Sequence, residues 1–543
     1  MTADRYSGSS ASAAGRAQAN PGWTLETLLR PSQLFGANGM RFDARGRLHV
    51  AQAFGSQISR IDPATGAVEV VSAPGSEVVA PDDLAFDSGG TLYATEVFSE
   101  RVSAIGPDGR TRVIAGAIPV ANGITIHRDR IFVDEFRMGG RVLELFADGR
   151  APRVIAKDVM FPNALAFGPD EHLYFPLVVT GQIGRVPVGG GEVEIFASGL
   201  NVPTAVKFDA AGHLVTVQSG SGEVTRFDLQ SRQATSLGRV RIGIDNLEFS
   251  AAGDLYLSNF ADGGISRLLA GGAEQVLVGR GLVGPAGLAC AADGTIYAAD
   301  GMSYAVVSPG GEVVRPTNLL IHGFPGYVRG VAVGPDGALY FANSAGGIAR
   351  FTPGREAEFL ATDLDQLMGL AVAPDGSLIA CEAGAGRLLA IRAGGEVRVL
   401  KDGLRRPTGV AVLADGSCYV SEAAGGLVVQ VRNGEASTVL AGLAEPHGVA
   451  VAGALLFVLD RAARSMHAVD LACGRAQIVV RDLPVGPAPG IVPKVLPGIA
   501  GIMPGPLLPF ADLAAAPDGA LLIGAEGDGS LLRLRAGSSR RFE

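Results

Sequence analysis

The clearest hydrophobic pattern begins at Pro407, where 407–412 reads Pro-Thr-Gly-Val-Ala-Val, 419–422 reads Tyr-Val-Ser-Glu and 427–431 reads Leu-Val-Val-Gln-Val. These short β-branched runs are broken at Asp415-Gly416 and at Gly425-Gly426. Such pairs supply the backbone angles that tight hairpins need, so the stretch predicts an antiparallel meander. A fourth run at 435–440 completes a four-stranded sheet.

The same phrase recurs twelve times when it is anchored on the small or polar residue just before an apolar residue, which alanine follows in eight of them. The anchors are Gly39, Asp83, Gly123, Ala164, Ala205, Asn246, Gly287, Gly330, Gly369, Gly409, Gly448 and Asp512. Ten intervals run from 39 to 44 residues, and the last is 64 because a Pro/Gly-rich insertion at 483–509 lies inside it. Four strands every forty residues is the pattern of a β-propeller, in which neighbouring blades cover the faces that one blade cannot bury. The chain is therefore expected to be all-β. Over 543 residues the repeats divide into two tandem six-bladed β-propellers, 22–270 and 271–543, behind a flexible tail at 1–21. A single ring of twelve blades would leave a channel too wide for the small side chains of the innermost strands to fill.

The strands of each blade are named A to D from the axis outward. Trp23–Leu29 reads as a D strand without a blade, and repeat twelve ends at 531–535 with little beyond it. These loose ends predict that Trp23–Leu29 completes blade six and Glu274–Val278 completes blade twelve.

Composition narrows the function classes. A net charge of −9 with no basic run excludes nucleic acid as a partner. Every apolar stretch is interrupted by Pro, Gly or charge, so no membrane span is expected. The first twenty residues are rich in Ser, Ala and Gly and lack the apolar core of a secretion signal, which predicts a cytoplasmic protein. Cys290, Cys381, Cys418 and Cys473 lack paired metal-ligand spacing and are expected as buried free thiols.

Chemistry is expected where the A strands converge. The residues just before the anchors are Asn38, Asp82, Asn122, Asn163, Thr204 and Asp245 in the first six repeats. In the last six they are Ala286, Arg329, Met368, Thr408, His447 and Ala511. The first ring thus aims two carboxylates, three amides and a hydroxyl at one mouth, and the second does not. Converging oxygen donors suit a hard cation, Ca²⁺ or another divalent ion, with Asp82, Asn122, Asn163 and Asp245 as ligands. Without a cation the two carboxylates would repel one another and raise a pKa. Turn capping by Asn and Asp is the other reading, and it predicts equal frequency in both rings.

The segments Asn122-Gly123-Ile124, Asn163-Ala164-Leu165 and Asp245-Asn246-Leu247 resemble the calcium-binding segments of the gluconolactonase/senescence-marker family, which is related to the paraoxonases and diisopropylfluorophosphatases. The resemblance covers residues 35–268 and implies a metal-dependent hydrolase acting on a lactone or related ester, with a small-molecule substrate. Asp82 or Asp245 would then activate water or attack directly. The chain departs from the family in two places: Asn38-Gly39-Met40 stands where a Glu ligand is usual, and Thr204 stands where Asp or Asn is expected. The blade phrase is also similar to NHL repeats, which implies a binding or scaffold protein as the alternative.

Loops between the B and C strands surround the same mouth. In the first ring they carry Phe54, Phe98, Phe136, Arg137 and Phe260, which with Asn38 and Thr204 are expected to line a substrate pocket. In the second ring His447 and Arg329 face the axis and His322 lies in the approach to blade eight. They define a third reading, a lyase or isomerase in the second ring beneath the insertion, which serves as an apolar lid or as a pad. His127 lies at the far end of its strand, and Asp300, Glu382, Glu422, Asp460 and Glu526 end B strands as turn caps.

Overall fold

The computed structural model describes residues 5–6, 17–317, 319–488, 490–492 and 495–537. Among them every regular element is a β-strand except the short 3-10 turn Leu319–His322. The strands form twelve antiparallel sheets, eleven of four strands and one of five. The repeat at Pro407 shows why. Its strands are Pro407–Val412, Cys418–Glu422, Leu427–Arg432 and Glu435–Ala441. At the A–B turn the Asp415 carboxylate accepts the Ser417 N–H at 3.0 Å, and Gly416 adopts φ +80°. Strand Cys418–Glu422 is buried throughout because neighbouring blades cover both its faces, whereas most of Glu435–Ala441 at the rim is exposed.

The chain resolves into two compact units. The first comprises Met1–Ser12, Ser32–Gly281 and Gly490–Ile499, and the second Ala13–Pro31, Leu282–Pro489 and Ala500–Glu543. Each is a closed six-bladed propeller. In the first, strand A of blade six, Ile244–Phe249, lies beside strand A of blade one, Met40–Phe42. In the second, Pro285–Cys290 of blade seven lies beside Leu513–Ala515 of blade twelve.

The closing strands are the reverse of the sequence expectation. Trp23–Leu29 pairs with Ser530–Ala536, from Trp23 opposite Ala536 to Leu29 opposite Leu531, and is strand D of blade twelve. Glu274–Val278 pairs with Ile265–Leu268 and completes blade six. Local connection decides it: a tight turn at Gly271 and Gly272, both at positive φ, returns the chain directly from strand C to strand D. Closing so short a loop costs far less entropy than recruiting a distant segment. Trp23–Leu29 is in turn held by its own side chains. Trp23 meets Phe457 edge-on at 5.6 Å, and Glu26 pairs with Arg533 at 2.8 Å. The first propeller is thus inserted in sequence between the last outer strand of the second and the remainder of it.

Residues 1–21 are not simply a tail. Arg5 and Tyr6 are buried in the first unit, where Arg5 Nε donates to Ser32 Oγ at 2.7 Å and Tyr6 meets Phe35 edge-on at 5.5 Å. Gln18–Ala19 adds a fifth strand to blade eleven. Residues 1–4 and 7–16 lie outside the described residues.

The insertion divides, with Gly490–Ile499 grouped with the first unit and the stretch from Ala500 with the second. In the second unit the Gly326 N–H donates to the Ile502 carbonyl at 3.2 Å, and Ser344 Oγ donates to the Pro504 carbonyl at 2.7 Å. Phe510 is 1 % exposed and packs with Ala286 and Met368 at the mouth of the ring. Pro489 and Pro493 lie outside the described residues. Cys381 and Cys418 are buried and Cys290 half-buried, but Cys473 is exposed because it sits in the turn that follows Asp470. No helix of the described residues is long and apolar enough to cross a membrane.

Candidate functional site

A recurrent brace sets the A strands of eight blades at the mouth. The last residue of strand B turns back to accept a backbone N–H from the loop entering strand A, which fixes where that strand starts. Gln52 accepts from Phe35 at 2.9 Å, Glu96 from Val79 at 2.9 Å and Gln218 from Asn201 at 2.8 Å. The B-strand carboxylates of the second ring do the same: Asp300 holds Val283, Glu382 holds Asp365, Glu422 holds Arg405 and Asp460 holds Ala444. Glu526, just past its strand, holds Gly486. These acids are structural braces.

Of the first-ring residues just before the anchors, Asn38 and Asp245 bond to each other, and Asp82 lies near enough to Asp245 for their charges to repel. Asn38 Nδ2 donates to Asp245 Oδ2 at 3.4 Å, and Asn38 Oδ1 accepts the Ala53 N–H at 3.2 Å, so this amide orients the carboxylate of blade six. Burial pushes the Asp245 carboxyl up to about 7, with the Asp83 charge adding to it and the Asn38 bond opposing it. Asp82 is raised well above the usual carboxylate range by burial and then by the charges of Asp245, Asp83 and Asp134. Asn122 is buried, and its Oδ1 has no hydrogen-bond partner. Asn163 is buried beside its backbone bond to the Pro176 carbonyl. Thr204 differs from expectation. Its hydroxyl donates to the Ile244 carbonyl at 3.1 Å, so it ties blade five to blade six and is not left to meet a substrate.

A second polar layer sits among the anchors. Asp83 accepts the Ile124 N–H at 3.1 Å, and Asn246 Nδ2 stands 3.5 Å from its other oxygen. Asp134 accepts the Gly123 N–H at 2.9 Å while its Oδ2 is buried without a partner. Burial holds its carboxyl well above the usual range, and the Gly123 bond only partly relieves this. Two residues beyond the anchors, Arg41 bridges four blades. It donates to the carbonyls of Leu84 at 2.8 Å and Ile124 at 3.1 Å and pairs with Glu248 at 2.7 Å. Lys207 Nζ lies 3.7 Å from the same Glu248 carboxylate, and burial lowers its pKa to about 8. Sequence reasoning missed Asp83, Asp134, Arg41, Lys207 and Glu248. The signal was there: the position two past the anchor is charged in three repeats of the first ring and is alanine in all six of the second.

The aromatic wall is only partly free. Phe136 and Phe260 are buried, and Phe136 packs edge-on against Phe161 at 5.5 Å. Phe54 and Phe98 remain half-exposed. Arg137 pairs with the fully buried Glu135 at 2.9 Å, so its charge is committed to that carboxylate. His127 stacks on Phe167 with ring centres 3.9 Å apart and takes no part at the mouth.

The second-ring residues do not form one open site. His447 is fully buried; its Nδ1 accepts the Ala511 N–H at 3.3 Å, which leaves the proton on Nε2, 3.6 Å from Glu445. Glu445 also binds Arg461 at 3.2 Å, and these two partners pull its carboxyl down to about 2. Phe510 lies over the imidazole with ring centres 6.0 Å apart. His322 bonds Thr317 Oγ1 at 2.8 Å. These are the marks of packing histidines. Arg329 stands apart from both.

Among the described residues no three His, Cys, Asp or Glu side chains are grouped to hold a metal ion. A cation at the first mouth would therefore depend on amide oxygens beside Asp82 and Asp245. The donor set fits a hard ion on two counts: two mutually repelling carboxylates, and a buried amide oxygen that nothing satisfies.

No family model matches the chain. A stretch of 112 residues is 27 % identical to strictosidine synthase-like protein 6 of Arabidopsis thaliana, covering 20 % of this chain and 30 % of that protein. The chain thus spans less than a third of the length of this curated relative. Among solved structures it is similar to a streptogramin B lyase, at 18 % identity and TM-score 0.38, over 52 % of this chain and 96 % of the other. It is also similar to a gluconolactonase from Xanthomonas campestris, at 21 % identity and TM-score 0.37, over 45 % of this chain and 88 % of the other.

Proposed function

We infer that the first propeller is a metal-dependent hydrolase that opens a lactone or related small ester at its axial mouth. The observation that carries this reading is the buried Asp82–Asp245 pair, to which no basic side chain bonds among the described residues, together with the buried, unpartnered Asn122 oxygen. Asp82, Asn122, Asn163 and Asp245 would hold the ion, Ca²⁺ by the hardness of the donors. Once bound, the ion would supply charge to stabilise an oxyanion on the substrate carbonyl.

The chain's own residues account for the rest. Asn38 holds the Asp245 carboxylate by its amide N–H, which leaves the other oxygen to orient water. One carboxylate of the pair takes the proton from that water as the new C–O bond forms, and as the ring C–O bond breaks it passes that same proton to the leaving alkoxide. Phe54 and Phe98 give the substrate an apolar wall that thins the water around the reacting atoms. The polar shaft of Arg41, Lys207 and Glu248 holds the strands that carry these groups.

The test is elemental analysis of the purified full chain, followed by lactone hydrolysis with and without chelator. The reading expects a divalent ion in the protein and turnover that chelation removes. Turnover that ignores chelator, or unchanged metal content and activity in Asp245→Ala, would remove the assignment. Co-purification of a partner chain without turnover would favour a scaffold.

A further inference from the structure

Both roots of the insertion in the second ring meet one chain of charged groups. At the N-terminal root the Gly486 N–H donates to Glu526 Oε1 at 2.8 Å, and Arg461 Nε donates to the same oxygen at 2.7 Å. Arg461 reaches on to Glu445 at 3.2 Å, and Glu445 stands 3.6 Å from His447 Nε2. His447 Nδ1 then accepts the Ala511 N–H at 3.3 Å, at the C-terminal root. All six residues belong to the second unit.

The two roots are held by different chemistry. The first is also tied by backbone, from the Leu483 N–H to the Arg464 carbonyl at 2.9 Å and from the Gly527 N–H to the Pro484 carbonyl at 3.1 Å. At the second, the Gly448 N–H donates to the Ala511 carbonyl at 3.0 Å, beside the imidazole bond and the packed Phe510 ring. A neutral imidazole accepts at one nitrogen and donates at the other, whereas its protonated form donates at both. A proton on Nδ1 would set one N–H against another, so the Ala511 bond requires a neutral His447.

The groups around the ring decide how readily it takes that proton. Glu445, two residues before it, is already shared between Arg461 and Arg406, the latter 3.6 Å away in the loop entering blade ten. Arg461 and Glu526 act on the ring from the loops after the B strands of blades eleven and twelve, while Asp512 of blade twelve is turned to the Leu288 N–H. Burial holds the imidazole below histidine's ordinary value, opposed by Glu445 and reinforced by Arg461.

We propose that His447 is a pH-sensitive latch: neutral, it holds residues 508–511 on the hub of the second ring, and protonated, it releases them. Release uncovers the apolar mouth where Phe510 packs with Ala286 and Met368. A detached root leaves the imidazole to titrate near its ordinary value of about 6.5, while the attached root keeps it neutral to lower pH. Detachment is therefore independent of pH above that value and rises by up to about tenfold per unit below it.

Hydrogen exchange of the full chain, read on peptides across 508–515 from pH 8 to pH 5 and corrected for the intrinsic pH dependence of amide exchange, tests the latch. The expected result is flat protection down to about pH 6.5 and then a loss of up to about tenfold per unit, with 483–488 changing less. His447→Asn, whose Oδ1 can take the Ala511 N–H without titrating, should keep flat protection across the range. Equal acid loss in wild type and His447→Asn, or no acid loss at 508–515 beyond that at 483–488, would overturn the latch. Should that variant fail to fold, wild-type crystals grown at pH 8 and pH 5 decide it. A root displaced only at pH 5 supports the latch, and an Ala511 N–H still on Nδ1 at both refutes it.

Discussion

The two propellers are written in the same phrase and differ at the hub. In the second ring five of the six anchors are glycine, and the strands close on one another through backbone. A Cβ on Gly287 would stand 2.2 Å from the Arg329 carbonyl, and one on Gly409 would stand 2.3 Å from that of His447. Two residues on, every A strand places alanine, and Phe510 packs at the mouth. The first ring instead carries Asp83 and Asn246 among its anchors and Arg41, Lys207 and Glu248 beyond them. Blade geometry does not require either hub. The fold needs only faces that neighbours can cover, so the axis is free to be a packed seam or a polar shaft. That freedom would let one ring hold the proposed chemistry while its twin serves as scaffold.

The contrast can be broken at several points. Asp245→Asn at the first mouth should cut lactone turnover by at least ~100-fold, the scale of losing a general base, as initial rates would show. The brace variant Glu382→Gln in the second ring should leave turnover intact. Phe510→Ala should destabilise the second ring by about 4 kcal/mol, because a fully buried aromatic is removed from the packed hub. Denaturant unfolding of the two chains side by side would read that loss. Arg41→Met should cost about 3 kcal/mol by leaving Glu248 only the more distant Lys207 and stranding two carbonyls, and a near-neutral result would mean the shaft is not structural.

The smallest effect concerns Asp512, the only acidic anchor of the second ring, which accepts the Leu288 N–H at 3.3 Å. Burial raises its carboxyl from the ordinary 3.8 to about 7. Between these values the unfolded chain releases a proton that the folded chain keeps. This group's contribution is therefore fully present below about pH 4, is lost as pH rises towards 7, and stays lost above it. Asp512→Asn should remove that slope and leave the protein on the order of 2 kcal/mol more stable at pH 8 than wild type. Melting temperatures across pH 5–8 would test it, and parallel curves for the two proteins would refute it.

The blades were legible because each must repeat alternating strands and glycine turns at a fixed period, and the strands at Pro407 fall within a residue or two of their expected places. Which strand closes which ring was not. Trp23–Leu29 and Glu274–Val278 are both amphipathic rim strands, and nothing in either names its partner. Only the short Gly271-Gly272 return and the contacts of Trp23 and Glu26 decide it. At the mouth, the neighbourhood of Asn38, Asp82 and Asp245 could be read from their place before the anchor. Thr204 could not, because a hydroxyl can turn to a carbonyl in the next blade as easily as to the axis. His447 was misleading for a similar reason: it is fully buried, with Nδ1 accepting the Ala511 N–H and Nε2 3.6 Å from Glu445.

The central claim is that the first hub holds a divalent cation through Asp82 and Asp245 and the second hub holds none. Calorimetric titration of calcium into chelator-stripped full-length protein tests it most directly. The account predicts a single saturable site that disappears in Asp82→Asn/Asp245→Asn and persists in Asp512→Asn. Absence of binding in wild type, or equal binding in the double variant, would contradict it.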